Sequence, residues 1–101
     1  MSRIATFEQF VADKPNDPFP RYALALEYKT AGRMADAETC FGELLHRLPT
    51  YVPAYLQLGM LLQSQGRADE ARQVFRTGLE VAGTARDGHA LSELQDALDG
   101  C

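Results

Sequence analysis

Tryptophan is absent from this chain, cysteine occurs twice, and lysine and arginine total ten in 101 residues. Each shortage removes a class of answer. Cys40 and Cys101 are too few for a disulfide framework, and neither has a second ligand at metal spacing. The basic residues do not cluster: residues 1–86 hold ten Lys and Arg against ten Asp and Glu, so the net charge of −4 comes from Asp87, Glu93, Asp96 and Asp99. Without a basic face there is no electrostatic footprint for nucleic acid or anionic lipid, and neither is expected as a partner. No apolar run approaches the ~20 residues of a membrane span. The N-terminus, Met-Ser-Arg-Ile-Ala-Thr-Phe-Glu, lacks the continuous apolar stretch of a secretory signal, so a cytoplasmic location is expected. His46 and His89 are far apart and read as solvated. No nucleophile with a base, carboxylate pair or phosphate loop can be assembled, so neither enzyme activity nor a cofactor is expected.

What the chain does contain is a spacing. Phe7, Phe41 and Phe75 lie 34 residues apart. With 46% apolar and 24% charged residues, the composition is that of one globular domain spanning 1–101. Residues 2–12 place Ile4, Phe7 and Phe10 or Val11 on one side of a short amphipathic helix, with Ser2 or Thr6 able to cap it. Pro15 and Pro18 cannot both lie inside one helix, whereas Pro18 suits the first turn of a second helix capped by Asp17. That second helix carries two apolar stripes, Leu24, Ala25 and Tyr28 on one side and Phe19, Tyr22 and Leu26 on another. Gly32 can take the left-handed conformation at its end. A third helix begins near Met34 to Asp36, buries Ala37, Phe41, Leu44, Leu45 and Leu48, and ends at Pro49.

The next stretch copies this plan with Pro53, Tyr55, Leu58, Gly59 and Leu62, then Gly66, then Ala71, Val74, Phe75, Leu79 and Ala82. Laying 18–51 over 52–85 without a gap gives seven identities, among them Leu24 with Leu58, Gly32 with Gly66, Ala37 with Ala71 and Phe41 with Phe75. They fall at turns and at small-to-large packing positions. A last helix, begun by Asp87 after the region from Gly83 to Gly88, places Leu91, Leu94 and Leu98 on one face. Its register is two residues late, as suits a helix that covers the end of a core. The expected layout is a helix in 1–15, repeats at 18–51 and 52–85, and a capping helix in 87–100.

These residues resemble the tetratricopeptide repeat, a 34-residue helical hairpin that stacks into an all-α superhelix. Tyr55, Leu58, Gly59, Leu62, Gly66, Ala71 and Phe75 look like its signature in one unit, with Leu62 in place of the usual tyrosine and Gly83 in place of the closing proline. Leu24, Ala25, Tyr28, Gly32, Ala37, Phe41 and Pro49 match in the other, with Arg21 where the first aromatic is expected. Phe7, Phe10, Val11 and Pro15 look like the second helix of an incomplete repeat, as in small stand-alone bacterial members. Small alanines would let paired helices approach, and Phe41 and Phe75 would fill wedges between hairpins, with Phe7 as a third that seals one end.

The resemblance implies a protein-binding module whose first helices line a concave groove. By equivalent position, that groove is Phe19, Tyr22, Leu26, Lys29 and Thr30 with Leu56, Gln57, Met60, Gln63 and Ser64. The apolar members would form a floor adaptable at Met60, and Lys29 with the glutamines a polar rim. The same side chains could instead be covered by the terminal helix. A subset of the family grips chaperone C-terminal carboxylates through a lysine, asparagine and arginine clamp. Tyr22, Leu26 and Gln57 stand at such places here, so an amphipathic or apolar segment is the expected ligand. The alternatives are self-association through an uncovered end and a small chaperone that holds secretion cargo. Cys40, beside Phe41 and aligned with Val74, reads as a small buried hydrophobe, and Cys101 as an exposed tail thiol. Arg33 and Arg67 read as charged residues after turn glycines, on an edge that could meet an acidic partner.

Overall fold

The chain was analysed as a computed structural model that describes residues 2–101. Those residues form helices α1 (Arg3–Asp13), α2 (Pro18–Thr30), α3 (Met34–Arg47), α4 (Val52–Ser64), α5 (Ala68–Thr84) and α6 (Gly88–Asp99), with no strand among them. The architecture is all-α and tetratricopeptide-like. Two compact units emerge, one ending at Leu48 that holds α1 to α3, the other Pro49–Cys101 that holds α4 to α6.

Local chemistry sets the helix ends. Ser2 Oγ accepts the Ala5 N–H at 3.2 Å, Asp17 Oδ1 accepts that of Phe19 at 3.0 Å, and Asp87 Oδ1 accepts that of Ala90 at 3.0 Å. Each satisfies a donor that the helix itself leaves open. α3 and α5 have no side-chain cap. In their place Arg33 and Arg67 reach forward, Arg33 Nε to Asp36 at 2.8 Å and Arg67 Nη2 to Glu70 at 2.6 Å. The Arg67 hydrogen bond holds the Glu70 carboxyl below its usual range.

Helices α2, α4 and α5 end in the same way. The Arg33 N–H donates to Tyr28 O at 2.8 Å, that of Arg67 to Leu62 O at 3.0 Å, and that of Asp87 to Ala82 O at 3.0 Å. This bond closes back over a residue in the left-handed region, as in a Schellman cap. Gly32 (φ 79°) and Gly66 (φ 76°) fill that place as expected. At the end of α5 the residue is Arg86 (φ 56°), while Gly83 lies inside the last helical turn. The region from Gly83 to Gly88 is thus only partly a break: α5 continues through Thr84, closes on a residue with a Cβ, and α6 starts at Gly88.

In the N-terminal unit, α2 packs against α3 and α1. Leu24, Ala25, Tyr28, Ala37, Cys40, Phe41 and Leu44 are buried there. Phe41 meets Tyr22 edge-on with centroids 6.1 Å apart. Arg21, only 6% exposed, donates from Nη1 to Pro15 O at 2.9 Å. α1 buries no residue fully. Ile4, Phe7 and Val11 are half-buried, so Val11 rather than Phe10 completes the inner stripe. Tyr28 Oη donates to Glu8 at 2.9 Å and Arg3 pairs with Glu27 at 2.9 Å, which together tie α1 to α2. Phe7 sits edge-on to Phe10 and differs from the fully enclosed Phe41 and Phe75. α2 is the one substantial neighbour of α1 in this unit, so Phe7 is enclosed from one side.

In the C-terminal unit, α5 packs against both α4 and α6, and α6 also touches α4. Leu58, Gly59, Leu62, Ala71, Phe75, Gly78, Ala82 and Leu94 are buried. The Phe75 ring lies so close over Gly59 that a Cβ there would collide with it. At Gly78 a Cβ would stand 2.7 Å from Tyr55 Cβ and 3.1 Å from Leu94 Cδ2. Two glycines thus admit two large rings, and α6 inserts Leu94 beside one of them. Tyr55 Oη donates to Pro49 O at 2.6 Å.

Candidate functional site

The buried stripes of α2 and α4 leave an opposite side on each helix, and the residues assigned to binding fall partly on it. On α2, Phe19 is 64% exposed, close behind the Asp17 cap that starts the helix. Tyr22, Leu26 and Lys29 are half-buried. Tyr22 also belongs to the core through its ring contact with Phe41. Thr30 is exposed, and its hydroxyl donates to Leu26 O at 3.0 Å. On α4, Met60 is 40% exposed, and Leu56 and Gln57 are half-buried. The Ser64 hydroxyl donates to Leu61 O at 2.6 Å, and Gln63 Nε2 donates to Gly100 O at 3.1 Å.

Three polar members of the set therefore hold the protein's own backbone. Gln63 is the informative one, because its bond fastens the end of α6 beside α4. Met60, three residues before Gln63 and about one helical turn away, remains exposed, so α6 does not cover this face completely. Phe10 is a third large exposed side chain, at 48%, on α1. Phe10 and Val11 both fit the helical period, and only packing against α2 separates them.

Burial acts on three ionisable side chains elsewhere, Cys40, Tyr28 and Tyr55. Burial pushes the Cys40 thiol up to about 11 against the opposing pull of Arg21, and its Sγ donates to Arg21 O at 3.3 Å. Burial and the bond to Glu8 push the Tyr28 phenol up to about 12, while Arg33 lies 4.6 Å over its ring. Burial also raises Tyr55. Cys40 is thus the buried small side chain expected, whereas Cys101 is half-buried and not fully exposed. His46 is exposed and His89 Nε2 lies 2.9 Å from Glu93 on the solvent side of α6. Arg33 and Arg67 face acids of their own helices rather than presenting open charge. No helix among the described residues is long and apolar enough to cross a membrane.

Comparison with known proteins places this geometry. A family model described as tetratricopeptide repeat matches residues 28–94. A tetratricopeptide repeat domain protein from Salinibacter ruber, solved in solution, is 41% identical with a TM-score of 0.79, over 84% of this chain and 86% of that one. Protein BPP2914 from Bordetella parapertussis is 28% identical with a TM-score of 0.83, over 98% of this chain and 86% of that one. The MamA protein, at 23% identity and a TM-score of 0.74 over 84% of this chain and 47% of that one, shares the fold. Protein DIA2 of Eremothecium gossypii is 44% identical over 45 residues, 45% of this chain, and the chain spans 7% of that relative's length.

Proposed function

The chain belongs to the tetratricopeptide repeat family, and we propose that it holds a partner peptide or helix, with α2 in one unit and α4 in the other each offering its outward side. Proteins of this fold are protein–protein interaction modules, typically without catalysis. The observation that carries the reading is the exposure of Phe19 and Met60 on the first helices of the two hairpins, whose opposite sides are fixed in the core. Single exposed apolar residues are ordinary. Here each has half-buried apolar neighbours at helical spacing, Tyr22 and Leu26 on α2 and Leu56 on α4. Such a surface suits an amphipathic segment, with Lys29 and Gln57 at its border. Residues 1–101 act in this reading as one domain, with repeats at 18–51 and 52–85.

The test compares wild type with the Leu26→Glu, Met60→Glu double variant in quantitative pull-downs. Circular dichroism is expected to show unchanged helicity, and retained partners are expected to disappear. Equal recovery by a folded variant would move the binding surface elsewhere. Light scattering across a concentration series addresses self-association: a constant monomer mass excludes it.

A further inference from the structure

The N-terminal unit departs from its repeat partner to arginine at two places that face one recess. Arg21 stands where the second repeat has Tyr55, and Arg47 where it has Val81. Both line a recess of about 160 Å3 between the corner at residues 15–18 and the last turn of α3. Arg21 is 6% exposed, and its Nη1 donates to a neutral acceptor, Pro15 O. Among the described residues neither arginine forms an ion pair.

A guanidinium cannot shed its charge by losing a proton, so burial without a counter-anion is unfavourable unless something supplies one. The local field sharpens the demand. Arg21 lies in the first turns of α2, at the positive end of the helix dipole, where an anion and not a cation is favoured. The acid that lines the recess, Asp17, directs Oδ1 to the Phe19 N–H as the helix cap. Prolines at 18 and 20 remove backbone N–H groups from the same turn, so the side-chain donors among the lining residues are the two guanidinium groups and the Asn16 amide.

We propose that this recess binds a single oxyanion, a carboxylate or phosphate group, between Arg21 and Arg47. Planar guanidinium groups match both through paired N–H donors. A recess of about 160 Å3 has room for a phosphate or the end of an acidic side chain. The site does not use the outward sides of α2 and α4, so it stands or falls apart from the docking surface above.

The experiment titrates the ¹⁵N-labelled full chain with sodium phosphate, sodium acetate and blocked glutamate (N-acetylated, with its α-carboxyl amidated), each at ionic strength held constant with sodium chloride. Saturable amide shifts confined to residues 15–21 and 44–48 are expected. Phosphate binding more tightly than both carboxylates identifies a free phosphate ligand; blocked glutamate binding more tightly than acetate identifies an acidic side chain of a partner. Arg47→Val, which imports the second repeat's residue at an exposed position, should weaken binding about ten-fold or more with an unchanged anion-free melting temperature, the scale of one hydrogen bond to a charged group. Arg21→Gln removes the charge and keeps a narrow stem beside the buried Leu44, and should lose the anion likewise. Unsaturated or dispersed shifts, or wild-type affinity in both variants, would overturn the proposal.

Discussion

The two hairpins solve one packing problem with exchanged parts. In the C-terminal unit Tyr55 reaches Pro49 O, and the bulk of its ring is accommodated by Gly78 across on α5. In the N-terminal unit the equivalent positions are Arg21 and Leu44, and Arg21 reaches Pro15 O instead. Donor and acceptor are separated by six residues in both cases. A large ring over a glycine becomes a narrower stem beside a leucine. The exchange teaches that the repeat holds to a bond geometry and a filled volume rather than to a residue identity, as expected where side chains must fill a dense interior. A second exchange runs alongside. Phe75 lies on Gly59, whereas Phe41 shares its surroundings with Tyr22, and the residue equivalent to Gly59 is the buried Ala25.

The largest test of this comparison removes the rings. Phe41→Ala and Phe75→Ala are each expected to cost about 3–5 kcal/mol, a large part of the roughly 5–15 kcal/mol that holds a small domain together. Thermal unfolding followed by circular dichroism should lose its cooperative transition in Phe75→Ala, and an unaltered melting curve would refute the packing described. Next in size, Gly59→Ala puts in the C-terminal unit the residue that the N-terminal unit already has. The collision with Phe75 should destabilise by about 1–3 kcal/mol in urea titrations. A neutral result would mean that the two hairpins tolerate the same small residue and that their ring positions are equivalent.

Arg86→Gly acts on the third copy of the helix-ending motif and should stabilise by about 1 kcal/mol, the order of the left-handed penalty for a residue with a Cβ. The urea midpoint is expected to rise at constant slope. A midpoint that falls would show that the Arg86 side chain contributes more than its backbone strain costs. The smallest effect concerns alkaline pH. Folding raises the Cys40 thiol from 9.0 to about 11 and the Tyr28 phenol from 10.0 to about 12. Below about pH 9 both groups are protonated whether the chain is folded or not, and their contribution is fully present. As pH climbs, the unfolded chain releases protons that the folded chain retains, so stability declines from about pH 9 toward 12. Cys40→Val, which again imports the second repeat's residue, should remove the part of that decline that begins near pH 9, measured as urea midpoints over an alkaline series.

Much of the scaffold was legible because it rests on local rules. Asp17 and Asp87 as caps, Gly32 and Gly66 as helix ends, and the burial of Ala37, Phe41, Ala71 and Phe75 all follow from turn chemistry and a 34-residue period. The candidate binding residues were legible as a pattern on α2 and α4, but their engagement was not. A sequence cannot show that Gln63 would meet Gly100, 37 residues away, because that bond depends on where α6 lies. The left-handed place at Arg86 carries no glycine to mark it for a related reason: it is set by the bond from Asp87 back to Ala82 and accepts an arginine at some cost.

The sequence by itself thus determined the helices, their ends and the repeat, since each is governed by contacts within one turn or by a fixed spacing. Only the tertiary structure decided which of two equally periodic side chains turns inward, as with Val11 and Phe10, and which residue supplies the bond to the proline carbonyl. It also decided that a buried arginine would stand without an ion pair. Those outcomes depend on volume and on charges brought together from different helices, and no local rule of the chain contains them.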